Sequence, residues 1–350
     1  MEILKRVNVV KRIVLGALTQ NVGASNNYQN AGPLDKSEVK RVLIIRPNHR
    51  LGNQLLITPL VQEVQEIFPD CKIDLFVKGG IAPIIFKNYQ NIDNIIKLPK
   101  KHFKEIIKYV YGWLKLRSRR YDIVINVVKK SSSGRLSTKF TNAKYKFYGD
   151  DEDNFQLRYT DSEHIAKYPV YSLRYSLSKL GIKVADKEVP TLDIKLTSSE
   201  IAEGKKILQG LIDKNEEKTI CLFTYATGAK CYTESWWLKF YDRLKTEYPN
   251  FNIVEILPVE NISNIAFKEP TLYSKDIREM GAVIANTDIF IGADGGVMHL
   301  AGSVKTPTLG LFSVTSLNMY TPYGNKSKGL DTNKLSIDEL IGEMNRILLE

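Results

Sequence analysis

Continuous apolar runs and helix-spaced apolar positions alternate along most of the chain. RVLIIR (41–46) has no polar residue between its ends, which suits a strand covered on both faces. LLITPLVQEVQEIF (55–68) then repeats its apolar positions at helical spacing. The same alternation predicts a strand within FPDCKIDLFVKGG, strands at 91–98, 121–128 and 143–149, and helices across 101–117 and 165–182. Residues 183–200 have no clean period and read as a linker, with SSE resembling a helix start. A second series follows, with strands at 219–225, 252–257, 288–293 and 306–312. Its helices fall at 234–247, 275–286, 296–303 and over the terminal SIDELIGEMNRILLE. Such alternation predicts an α/β protein with parallel sheets and helices on both faces. The chain divides into an N-terminal extension and linker (1–40), a Rossmann-like domain (41–186), a second one (187–330) and a C-terminal helix (331–350).

Length supports that division, since 350 residues suffice for two domains with separate cores. With 43% hydrophobic and 25% charged residues, the composition excludes wholesale disorder. Three cysteines with no CxxC pair exclude a disulfide framework and a cysteine-rich zinc site, and point to a reducing, cytoplasmic setting. Four histidines without HExxH spacing argue against a zinc hydrolase. No stretch approaches the roughly 20 apolar residues of a membrane span. At the N-terminus Lys11 and Arg12 leave only IVLGAL as an apolar run, too short for a secretory signal.

Charge adds a candidate partner. The net charge is +11, and 97–120 alone carries nine Lys or Arg against the single acid Glu105, with Tyr109, Tyr111 and Trp113 interleaved. On a helix this suits an anionic membrane interface, to which the basic segment 1–16 could add a second contact. A solvated charged face is the plain alternative. Nucleic acid is disfavoured because no nucleic-acid motif accompanies the charge. The expected localisation is therefore cytoplasmic, peripheral to the inner face of the cytoplasmic membrane.

The densest chemistry lies in DIFIGADGGVMHLAGSVKTPTLGLFSVTSLNMYTPYG (288–324). A strand runs into Asp294-Gly295-Gly296 and a helix begins at once. Glycines admit a ligand close to the backbone, and the free N–H groups and dipole of a helix start attract phosphate. Asp294 could accept hydrogen bonds from sugar hydroxyls, or simply cap the helix.

ADGGVMHLAGSVKTPTLGLF resembles the signature of glycosyltransferase family 9, the lipopolysaccharide heptosyltransferase family. RVLIIRPNHRLGNQLLITPLVQEVQEIFPDCKIDLFV is similar to that family's opening, and GAKCYTESWWLKFYDRL (228–244) to its K-x-W-P-x-E-x-W segment. The three blocks occur in the family's order in both halves. The resemblance implies a GT-B architecture, two facing Rossmann-like domains with an interdomain cleft, the first binding acceptor and the second a nucleotide-sugar donor. It also implies inverting, metal-independent transfer without a cofactor, the donor being ADP-linked and the sugar a heptose. The acceptor would be a lipopolysaccharide-type or other lipid-linked saccharide. Thr227, Lys230, Glu260, Asp294, Gly295, Gly296 and His299 fall at donor-binding positions. Arg46, Ser132 and Arg135 are candidates for the acceptor. Glu234, Trp237 and His164 also match family positions, Trp237 as packing and His164 equally as a cap.

One departure bears on catalysis. The family places an Asp, the expected base, after the glycine of its opening motif, and this chain has Gly52-Asn53. An amide has no titratable group near neutral pH. Asn53 could orient the acceptor while His49 takes the proton, since an unperturbed imidazole titrates near pH 6.5. A catalytically silent nucleotide-sugar-binding protein is the alternative. DDED (150–153) invites a metal reading, but its flanks suit a solvated loop. PNHRLGN after the first strand departs from GxGxxG, which disfavours a Rossmann oxidoreductase.

Overall fold

The computed structural model describes residues 22–23, 33–100, 105–150, 158–213 and 217–349. The expectations for 1–16, for 101–104 and for Asp151, Glu152 and Asp153 lie outside the described residues. Two compact units emerge. One holds the chain through His49 together with Pro59–Pro83 and Tyr89–Pro190; the other holds Arg50–Thr58, Ile84–Asn88 and Thr191 onward. The terminal helix is part of the second unit.

In the first unit β1 (Arg41–Arg46), β2 (Lys72–Lys78), β3 (Ile92–Leu98), β4 (Arg120–Asn126) and β5 (Asn142–Phe147) form a five-stranded sheet, all parallel, ordered β3-β2-β1-β4-β5. The continuous apolar run of β1 explains its place at the centre: Val42, Leu43, Ile44 and Ile45 are fully buried. The single helix expected over 55–68 is two, α1 (Leu51–Leu55), which falls in the second unit, and α2 (Thr58–Ile67), and Thr58 Oγ1 donates to the Leu55 carbonyl at their junction, 2.8 Å away. After α3 (Ala82–Ile85) come α4 (Ile106–Ser118), α5 (Ser132–Phe140) and α6 (Tyr168–Lys179). Trp113 and Leu116 of α4 and Phe140 of α5 pack on a core of Leu43, Ile45, Phe76, Leu98 and Val124. Arg174 of α6 grips the buried Glu63 of α2 through two hydrogen bonds of 2.8 and 2.9 Å.

In the second unit α7 (Ser198–Gln209) precedes β6 (Thr219–Phe223), α8 (Glu234–Glu247), β7 (Asn252–Leu257), β8 (Thr271–Tyr273), α9 (Ile277–Ile284) and β9 (Ile289–Ala293). Then follow α10 (Gly296–Ser303), β10 (Thr308–Phe312), α11 (Leu317–Tyr320), β11 (Lys328–Asp331) and α12 (Ile337–Leu349). Six parallel strands are ordered β11-β10-β9-β6-β7-β8. Trp237, fully buried with Phe240, fills the core between α8, α12 and the sheet, so its role is packing. Helix α7 begins with a capping box, Thr197 and Glu200 each bonding the other's backbone N–H.

Glu255 of β7 is fully buried, and its carboxylate accepts from Thr224 Oγ1 at 2.5 Å. Burial raises its pKa above the ordinary 4.5, outweighing the hydroxyls of Ser263 and Thr224. The folded protein therefore holds this proton more tightly than the unfolded chain. Stability contributed this way is complete below pH 4.5 and is lost as pH climbs to the raised value. Glu255→Gln should melt a few degrees higher than wild type at pH 7, with the difference closing below pH 4.5. Melting curves across that range check it, and parallel curves would refute it.

Candidate functional site

Ligands of open parallel sheets gather at the carboxyl ends of the strands where strand order reverses. In the second unit that point lies between β6 and β9. Beyond β6 the chain turns through a single 3-10 turn, Gly228–Lys230, entered by Gly228 at φ +67°, a left-handed conformation that glycine adopts without strain. That turn delivers Lys230 to the end of β9, where its ammonium pairs with the buried Asp294 carboxylate. Thr315, beyond β10, donates its hydroxyl to the same Asp294 oxygen at 2.6 Å. The Asp294 backbone N–H bonds the Leu311 carbonyl at 2.9 Å. Tyr320 of α11 lies with its ring centroid 5.8 Å from the Lys230 nitrogen, within cation–π range.

This cluster refines the expectations for two residues. Asp294 is turned inward onto Lys230 and Thr315, and works here as the tie among three loop ends. Lys230 spends one donor on it; an ammonium has three, and the side chain is one-third exposed. Thr315 and Tyr320 were not among the sequence candidates, because neither lies within a recognisable spacing of Asp294.

Gly295 precedes α10 with extended backbone and no side-chain cap, so the first N–H groups of the helix lack a side-chain partner from the capping position. Against this turn packs α1, which belongs to the same unit. A Cβ at Gly296 would stand 3.1 Å from the Leu51 Cβ and 3.2 Å from the Gly52 nitrogen. One at Gly52 would stand 3.0 Å from the His299 ring. Two glycines thus let two backbones meet, and Asn53 rides on α1 beside them. His299 is buried. Thr227 is exposed at the mouth of the 3-10 turn, Glu234 is exposed at the first turn of α8, and Glu260 is exposed in the loop after β7. The pKa of the Tyr225 phenol is raised by desolvation and then by the charge of Glu260.

The first sheet reverses order between β1 and β4. Arg46 ends β1 and is buried; Ser132 opens α5 after β4 and is half-buried. His49 is exposed in the loop after β1. Two backbone bonds hold that loop, from Asn48 N–H to the Arg46 carbonyl at 2.7 Å and from Lys78 N–H to the Asn48 carbonyl at 3.3 Å. SSSGRLSTKF (131–140), the segment that carries the acceptor candidates Ser132 and Arg135, is mostly helix. Ser131 caps it, and Ser137, Thr138 and Thr141 return their hydroxyls to backbone carbonyls. That helix carries Arg135 inward, 3% exposed, where its guanidinium binds both oxygens of Asp150 and the Gly23 carbonyl. Arg135 ties the loop after β5 to α5. His164 is buried and its Nδ1 accepts from the Ala166 N–H at 3.2 Å, in the turn ahead of α6, whose capping position is Lys167. Among the described residues, no group of three or more His, Cys, Asp or Glu is placed to hold a metal ion, and no helix is long and apolar enough to cross a membrane.

Comparison with known proteins agrees with this arrangement. Residues 270–338 match the model of glycosyltransferase family 9 (heptosyltransferase), a span that contains Asp294, α10, Thr315 and Tyr320. Lipopolysaccharide heptosyltransferase 3 of Escherichia coli is 24% identical over 290 residues, covering 78% of this chain and 84% of its own length. Lipooligosaccharide heptosyltransferase 2 of Campylobacter jejuni is 26% identical over 289 residues, covering 80% and 83%. Among solved structures, a family 9 glycosyl transferase from Veillonella parvula superposes with a TM-score of 0.68 at 18% identity, over 89% of this chain and 97% of that one. The E. coli heptosyltransferase WaaC with ADP gives 0.62 at 15% identity, over 88% and 99%. With its motifs in family order and its two parallel α/β units of GT-B type, the chain is similar to the glycosyltransferases of family 9, whose model it matches over residues 270–338.

Proposed function

We propose that the protein transfers a heptose from a nucleoside-diphosphate donor, ADP-linked, to a lipopolysaccharide-type saccharide carried on a lipid. The observation that carries this reading is the Lys230–Asp294–Thr315 cluster beside the uncapped start of α10, at the reversal point of the second sheet. A diphosphate arriving there meets one ammonium and a set of backbone N–H groups, the fixed positive ends that a departing phosphate needs. Supporting the choice of donor and acceptor are the relatives, named as lipopolysaccharide and lipooligosaccharide heptosyltransferases, and the similar structure that contains ADP. In the proposed reaction the acceptor oxygen attacks the anomeric carbon opposite the diphosphate, inverting its configuration, with Lys230 and the helix start in place of a metal ion. The first unit offers Arg46 and Ser132 to the acceptor, and the proposed setting is the cytoplasm.

His49 is the proposed base, because Asn53 carries no titratable group. His49→Ala should lower kcat about 10²-fold while leaving donor affinity within a factor of about two, the low end of general-base contributions. Full turnover in that variant would remove His49 from the reaction. Asn53 also favours a second reading, a donor-binding protein that does not catalyse transfer. Calorimetry with ADP, paired with turnover of ADP-heptose on heptose-deficient lipopolysaccharide acceptors, separates them. Binding and transfer together are expected; binding without transfer on every acceptor would leave only the second reading.

A further inference from the structure

We infer that the outward face of α4 is a docking surface for an anionic lipid bilayer. The inference rests on the lipid-linked acceptor for its purpose, and on α4 for its geometry. Tyr109, Gly112, Trp113 and Leu116 face inward, and Trp113 meets Phe76 and Phe140 edge-on at centroid distances of 6.0 and 5.6 Å. At the helix end Arg119 binds Asp74 and Asp93, which also take Arg41. This helix is therefore seated on one face and pinned at its C-terminus.

Its opposite face is apolar too. Ile107 is 82% exposed, Tyr111 64%, Leu114 59% and Val110 50%, a stripe at i, i+3, i+4 and i+7. A helix of a soluble domain normally turns charge outward, so an apolar stripe on both faces calls for a second apolar neighbour. The flanks say which kind. Lys108 and Lys115 border the stripe on one side and Arg117 on the other, all basic, and Glu105 is the only acid between 105 and 120. Beyond Arg117 the positive surface continues to Lys139 and Lys146, near enough that Arg117 helps depress the Lys146 ammonium after burial. An apolar ridge with a tyrosine, bordered on both sides by cations, matches acyl chains below anionic headgroups.

Co-sedimentation of the full chain with vesicles of phosphatidylglycerol and phosphatidylcholine tests this, with pure phosphatidylcholine vesicles as the neutral control. Wild type should partition onto the anionic vesicles and much less onto the neutral ones. Ile107→Ser/Leu114→Ser, at exposed positions clear of the core, should lower that partitioning about tenfold or more at unchanged melting temperature. Lys108→Glu/Arg117→Glu should do the same and abolish the preference for anionic lipid. Transfer to a detergent-free, delipidated acceptor should stay at the wild-type rate in both. Undiminished vesicle binding by these variants would overturn the inference, even with transfer activity intact. So would sedimentation showing that the stripe instead seals a dimer, present in wild type and lost in Ile107→Ser/Leu114→Ser. Vesicle binding that depends on the stripe would sustain it, even if no acceptor were glycosylated.

Discussion

Alanine at Lys230 should lower turnover of the nucleotide sugar by about 10²–10³-fold, the range seen when one fixed donor to a developing anion is removed. The backbone N–H groups at Gly295 and Gly296 would remain, but these are partial charges, and the departing diphosphate gains negative charge as the glycosidic bond breaks. Affinity for ADP should fall less, about tenfold, because the ground-state diphosphate is partly served by the helix start. A simple loss of folding would imitate neither pattern, yet it needs a control. Without Lys230 the Asp294 carboxylate, 4% exposed, keeps the Thr315 hydroxyl as its one side-chain donor among the described residues. Lys230→Arg keeps a cation for that carboxylate and should recover the melting temperature and part of the ADP affinity. Cys231, partly exposed and next in sequence, supplies a readout free of catalysis. Its alkylation should slow on adding ADP in wild type and be indifferent to ADP in Lys230→Ala. Unchanged turnover and unchanged ADP affinity in Lys230→Ala would take the lysine out of the phosphate site.

What the sequence discloses about this site depends on whether a residue's role is local or tertiary. Strands buried on both faces declare themselves as unbroken apolar runs, and so β1, β7 and β9 lie where RVLIIR, NIVEIL and DIFIGA place them. Helices α8 and α10 are equally plain, since Thr233 caps one and a glycine pair opens the other. Short edge strands β8 and β11 carry too few residues to set a period, and both escape the reading. Helix α5 is hidden for another reason: its serines and threonines look like loop chemistry until their hydroxyls are seen bonded to the preceding turn. The same holds at the site. Lys230 and Asp294-Gly295-Gly296 are visible because a strand end, a glycine and a helix start adjoin each of them in sequence. Thr315 is not, because its tie to Asp294 exists only once β9 and β10 lie side by side. The seating of α1 on α10 needs two glycines far apart in the chain, Gly52 and Gly296, and neither alone signals the other.

Arg278→Ala should destabilise the second unit by about 3 kcal/mol, the low end of the cost of removing one partner of a buried ion pair, because Glu200 keeps 21% of its side chain exposed. Arg278 is 5% exposed and its guanidinium uses its whole fork. Nε and one terminal nitrogen hold the two oxygens of Glu200 at 2.6 and 2.7 Å. The same terminal nitrogen reaches the Lys195 carbonyl at 3.0 Å, and the other reaches Ile194 at 2.9 Å and Ile84 at 3.2 Å. One side chain of α9 thereby fastens α7, the strand-like segment before it and residues 84–88, all in this unit. Lysine would restore the charge but not the planar fork, so Arg278→Lys should recover only part of the loss. Acid makes the test specific. The Arg278 guanidinium holds the Glu200 carboxyl well below the usual carboxylate range, with the Thr197 N–H helping against burial. A depressed folded pKa gives stability that is full above the unfolded value of 4.5 and drains away as pH falls toward the folded value. Wild type should thus lose melting temperature steadily below pH 4.5, while Arg278→Ala, having lost the cause of the depression, should lose less. Near neutral pH the two should melt about 10 °C apart, at roughly 2–4 °C per kcal/mol for a unit of this size. Their curves should converge in acid. Curves that stay parallel from pH 7 to pH 3 would mean that the pair contributes geometry without this charge-dependent stability.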